Sequence, residues 1–128
     1  MTGKNNKRPV YLDLLRIRLP VGGVVSILHR VSGVLLVIAL PLLLWLLQES
    51  LASADRYQHV TELLQNFPAR ILLFLLALAL AHHSLAGVRH LLLDLHIGIS
   101  RRGGRLGAWL VLAGGATGAA VVAGCLFL

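Results

Sequence analysis

The sequence predicts an all-α integral membrane protein with three transmembrane helices, and three observations carry that prediction. Of 128 residues, 57% are hydrophobic and only 13% charged, more apolar matter than a soluble core of this size could bury. Three stretches, 31–48, 71–88 and 106–128, hold no charged residue. Basic residues flank these stretches at alternate ends, as they do in multi-span proteins.

Each span is justified by length. A helix rises about 1.5 Å per residue and a bilayer core is about 30 Å thick, so a crossing takes about 20 residues. Inside hydrocarbon a backbone must satisfy its own polar groups, which leaves helices as the only choice for segments this short. Helices are expected over about 22–48, 69–93 and 106–128, the first two borrowing a turn from their polar flanks. Pro41 falls inside the first and is a candidate kink. The whole chain, 1–128, reads as one membrane domain preceded by a basic segment, 1–21.

The net charge of +7 is distributed as a topology signal rather than as a nucleic-acid surface. Lys4, Lys7, Arg8, Arg16 and Arg18 precede the first span, and Arg101, Arg102 and Arg105 separate the second from the third. The loop between the first two spans holds Arg56, with Arg70 at its edge. The positive-inside pattern then puts the N-terminus and the second loop in the cytoplasm. Ala52-Ser53-Ala54 after an apolar run imitates a signal-peptide cleavage site, but the run is too long for a signal core and two further spans follow.

Several features have plain structural readings. The single cysteine, Cys125, supports neither a disulfide framework nor a metal site. In the third span Gly114 and Gly118, Gly115 and Ala119, and Ala120 and Gly124 stand four apart, spacing that lets helix backbones approach. The segment 49–68 reads as a polar surface connection, with His59 solvated there and His96 solvated in the second loop. Between Pro9 and Pro20, Leu12, Leu15 and Leu19 share a face and suggest a short interfacial helix.

The second span carries chemistry. In "HHSLAGVRHLLLD" (82–94), His83, Gly87, His90 and Asp94 stand at i, i+4, i+7 and i+11, one stripe of a helix. Ionisable groups at membrane depth cost several kcal/mol unless they face a bundle interior, so such a stripe is functional by default. Three roles stay open for these histidines: haem ligand, proton relay or interhelical hydrogen bond. Gly87, one turn from His83, would leave room for a flat macrocycle against the helix. His90 and Arg89, nearer the helix end, could meet its propionates. His82 points about 100° from the stripe and reads as a packing or hydrogen-bonding residue, with ligation as the alternative.

The first span opens with a second stripe, Ser26, His29, Arg30 and Gly33, expected to face inward near the cytoplasmic surface. A hydroxyl and an imidazole beside a guanidinium make a hydrogen-bonding pocket in an apolar wall. Snorkelling of Arg30 to headgroups is the bland alternative, and it leaves the serine and histidine without a reason.

At these motifs the chain resembles a known family, the cytochrome b membrane-anchor subunit of succinate dehydrogenase. The resemblance rests on "RPVYLDLLRIRLP" (8–20), "SILHRVSGV" (26–34) and "HHSLAGVRHLLLD" (82–94), with a third span following. It implies that the three helices pack with a smaller anchor subunit into one bundle in a bacterial inner membrane. It implies a haem b shared with that subunit, with His83 as one axial ligand, and a ubiquinone site that uses Ser26 and Arg30. His29, Arg30, His90 and Asp94 fall near the haem propionates in this reading.

The implied partners are a flavoprotein subunit, which carries FAD and oxidises succinate, and an iron–sulfur subunit whose clusters pass electrons to quinone. This chain has no flavin or cluster motif and would not oxidise succinate alone. Two other readings remain beside it: the anchor of a fumarate reductase, and a stand-alone b-type electron-transfer cytochrome. A self-contained diheme cytochrome would need two pairs of axial histidines, whereas His29, His82, His83 and His90 lie at three depths.

Overall fold

The computed structural model describes residues 19–128, all helical apart from short connections. The expected interfacial helix between Pro9 and Pro20 lies, except for Leu19, outside the described residues. Four helices follow in order: α1 (Val21–Ala52), α2 (Ala54–Gln65), α3 (Phe67–Asp94) and α4 (Arg101–Phe127). α1, α3 and α4 are long and apolar enough to cross a membrane, and α2 is not among them.

Local chemistry sets the boundaries. α1 starts at Pro20, whose carbonyl accepts from the backbone of Gly23 and Val24, and it runs through Pro41 without a break. At 32 residues it is about 48 Å long, well beyond the bilayer core, so it tilts or projects. The projecting turns end in an ion pair between Glu49 and Arg56 at 2.9 Å.

The segment expected as a surface connection is instead mostly helix. Ser53 caps α2 by accepting from the Arg56 amide at 3.2 Å, and Asp55 in the first turn complements the helix dipole. The polar sequence concealed this because only Val60 is buried on that helix. α3 then begins at Asn66 with Pro68 in its first turn, where the missing N–H costs nothing.

α3 ends in a tight turn. The Ile97 amide bonds Leu92 O and the His96 amide bonds Leu93 O, both at 2.9 Å, the paired bonds of a Schellman cap. His96 occupies the left-handed position, φ 63°, and Gly98 follows at φ 78°. Ser100 then caps α4 by accepting from the Gly103 amide at 3.0 Å.

α3 is the central helix, packed on α4 along one side and on α1 along the other. Small residues make that contact: Ala86 of α3 and Ala108 of α4 are fully buried, joined by Val25 of α1 and Val111 of α4. At Gly114 an added Cβ would lie 2.9 Å from a Leu85 methyl, so glycine lets that leucine pack against α4 without shifting. Arg70 closes the far end by donating to Leu126 O at 3.0 Å. The outward face of α1 stays uncovered, with Val37 and Ile38 about 70% exposed, as a helix facing lipid or another subunit would be.

Candidate functional site

The start of α1, the end of α3 and the start of α4 meet at one end of the bundle. It carries Arg89, Arg101, Arg102 and Arg105 with one described carboxylate, Asp94, while the other three, Glu49, Asp55 and Glu62, gather at the opposite end.

Three imidazoles from two helices converge near the basic end. His29 of α1 stacks on His83 of α3, ring centroids 4.1 Å apart and planes 11° from parallel. His90, two turns further along α3, meets His29 edge-on at 4.9 Å. The two stripes read in the sequence thus supply the cluster, but they do so unequally. His29, His83 and His90 are half-buried, Ser26 is half-buried without a hydrogen bond to any described residue, and Arg30 and Asp94 are exposed.

His83 is held in one orientation. Its Nδ1 lies 3.0 Å from the backbone carbonyl of His29 and 3.3 Å from the hydroxyl of Ser32. A carbonyl can only accept, so Nδ1 carries a proton, and in the neutral ring Nε2 is then the nitrogen with the lone pair. Ser32, buried and itself donating to His29 O at 2.9 Å, completes the arrangement. The opposite nitrogen, Nε2, makes no hydrogen bond among the described residues, which is the state of an imidazole ready to bind a metal.

Glycine admits this geometry. A Cβ on Gly33 would sit 2.9 Å from His83 Cε1, closer than side chains tolerate, so Gly33 lets the ring lie against α1. Gly87 also meets α1. Its face is met by His29, whose Nε2 lies 3.5 Å from an added Cβ, so the notch read as room for a macrocycle receives a neighbouring imidazole.

His82 and Arg89 diverge from this cluster. His82 is 91% buried, with Nε2 shielded and without a hydrogen-bond partner among the described residues, and Nδ1 turned towards Gly115 of α4. Arg89 turns to α4, donating from Nη2 to Gly104 O at 3.1 Å, rather than towards the histidines. Sequence reasoning missed Ser32, because a lone serine in an apolar run looks like packing. Its position three residues after His29 was the available signal.

The fold and this end of it define a polytopic helical membrane protein that holds an oriented imidazole cluster beside a basic surface, in its described residues. The description "succinate dehydrogenase/fumarate reductase transmembrane subunit" matches residues 4–122, and the chain belongs to that family. It is 38% identical over 108 residues to the succinate dehydrogenase cytochrome b556 subunit of Coxiella burnetii, covering 84% of this chain and 86% of that one. The subunit of the same description from Rickettsia felis is 31% identical over 84% of this chain and 83% of its own length. That from Paracoccus denitrificans is 32% identical over 72% and 71%.

Proposed function

We propose that this chain is the larger membrane anchor of a succinate:quinone oxidoreductase, supplying one axial ligand of a haem b and part of the quinone-reduction site. The observation that carries the haem assignment is the bond between His83 Nδ1 and the His29 carbonyl, which leaves Nε2 free. His82 is the poorer candidate, since its Nε2 is shut inside the chain where no second subunit could share an iron. Axial imidazoles approach iron from opposite faces, whereas His29 and His83 lie flat against each other. That stacking supports a second ligand from the smaller anchor subunit rather than from His29, and it speaks against a self-contained diheme cytochrome.

Bound there, the haem supplies a one-electron centre beside the quinone. This chain's residues do the rest of its share. Ser26 and Arg30 stand one turn apart on α1, and Arg30 is exposed on the chain's surface, where a site completed by other subunits would lie. Their donors hold one quinone oxygen and favour the negative charge that grows on it as electrons arrive. Quinone takes two electrons and two protons to become quinol; the electrons originate in succinate at the flavoprotein subunit and arrive through the iron–sulfur subunit. His29, His90 and Asp94 lie towards the propionate side of the haem in this reading. The N-terminus and the second loop are cytoplasmic, in a bacterial inner membrane.

A reduced-minus-oxidised spectrum of the purified complex tests the assignment. Wild type and His82→Leu should show one low-spin b-type haem, and His83→Leu should lose or convert it. Loss with His82→Leu and retention with His83→Leu would reverse the ligand assignment.

A further inference from the structure

Arg89 leads to a second site, separate from the histidines. Its guanidinium bridges the gap between α1 and α4. Nη2 donates to Gly104 O, and an added Cβ would lie 3.2 Å from Nη2 at Gly22 and 3.5 Å from Nε at Gly107. Gly22 therefore leaves room for this side chain, and Gly107 lies in ordinary contact with it. Among the described residues one of its five N–H donors has an acceptor, and the buried Nε has none. An arginine so placed keeps its charge and needs an anion.

The space beside it is suited to one. A cavity of about 730 Å³ opens between the ends of α1, α3 and α4, bordered by Arg89, Arg101 and Arg105. None of the three arginines pairs with a carboxylate among the described residues, whose one ion pair, Glu49 with Arg56, lies at the opposite end. Apart from Ser100 the remaining side chains of the wall are apolar, including Leu19, Leu93 and Trp109, and Trp109 is half exposed. Three cations above an apolar wall, at the depth where a tryptophan borders the headgroup region, match an amphiphile with an anionic head.

We infer that this cavity binds the phosphodiester headgroup of an anionic glycerophospholipid, with Arg89 and the Arg101–Arg105 pair on the phosphate and the glycerol backbone against the apolar wall. Lipid is favoured over soluble phosphate because the apolar wall would be wasted on a free ion. The site uses none of the residues assigned above to haem ligation or to quinone.

Trp109 provides a local reporter in the intact, haem-replete complex. Quenching by brominated phosphatidylglycerol and by brominated phosphatidylcholine is compared in nanodiscs, and the signal lost in Trp109→Phe isolates this tryptophan. Phosphatidylglycerol should quench at about tenfold lower mole fraction, and Arg101→Gln with Arg105→Gln should remove that preference. Both arginines are exposed, so this variant keeps the fold. Arg89→Gln, if it assembles, should act the same way. Equal quenching by the two lipids, or a preference that survives in the double variant, would overturn the inference. Displacement of phosphatidylglycerol by millimolar inorganic phosphate would overturn the lipid assignment in favour of a free anion.

Discussion

The imidazole of His29 lies parallel to that of His83 at 4.1 Å, and the His29 carbonyl at the same time accepts from His83 Nδ1 at 3.0 Å. One residue of α1 thus fixes both the plane and the tautomer of one residue of α3. Stacking stops the ring from tipping, and the hydrogen bond stops it from flipping. What remains for His83 is a single nitrogen in a single direction, which suits the ligation proposed for it.

This arrangement depends on Gly33 more than on Gly87. An alanine methyl at Gly33 would press to 2.9 Å on His83 Cε1, while at Gly87 it would sit at an ordinary 3.5 Å from His29. Gly33→Ala should gain about 1 kcal/mol of helix propensity and lose about 1–3 kcal/mol to overpacking, displacing the ring. Haem content per complex should fall in Gly33→Ala and stay near wild type in Gly87→Ala. Equal haem content in both would show that the His83 ring moves freely.

His96 offers a stability test away from the site. It holds φ 63° at the end of α3, where a β-carbon costs about 1 kcal/mol and glycine costs nothing. His96→Gly should therefore stabilise the detergent-solubilised protein by about 1 kcal/mol against denaturant, and His96→Ala should not. A stabilised alanine variant would mean that the imidazole, rather than the backbone, carries the penalty.

The parts of this structure that were legible in the sequence are those set by local pattern. Three charge-free stretches specified three spans, and the spacing of His83, His90, His29 and Gly33 put them on faces that do meet. The helix at α2 was not legible, because its hydrophobic pattern is thin and its start depends on one serine cap. Nor were the partners of individual side chains. His29 in the notch at Gly87, Ser32 bridging His29 and His83, and Arg89 turned to Gly104 all depend on how α3 rotates between α1 and α4. That rotation is settled by small residues on both sides of α3, such as Ala86 against Ala108, which single-helix periodicity does not register.

Orientation is open to direct measurement. Basic residues at the α3–α4 turn and before α1 predict that reporters fused after Lys7 or Gly104 read cytoplasmic and that those within 50–66 read external. A cytoplasmic reading for 50–66 would invert the topology and put the proposed quinone and lipid sites on the opposite face.

Ser26 and Arg30 test the quinone proposal itself. They sit one turn apart at the basic end, with Arg30 exposed and free of any ion pair among the described residues. If the two hold the oxygen that gains charge, removing one such contact costs about 10²–10³ in rate. Ser26→Ala and Arg30→Leu should each cut succinate-to-quinone electron transfer by about that factor. Succinate oxidation with a soluble acceptor that draws electrons from the flavoprotein subunit should barely change, since the flavin lies outside this chain. Arg30→Lys should recover part of the activity, because an ammonium keeps the charge but loses the planar fork. Haem content and subunit composition must match wild type in each variant, so that loss of quinone reduction is not loss of the anchor. An intact, haem-replete Ser26→Ala, Arg30→Leu double variant that reduced quinone at the wild-type rate would return Arg30 to the lipid headgroups and leave the quinone site to other residues.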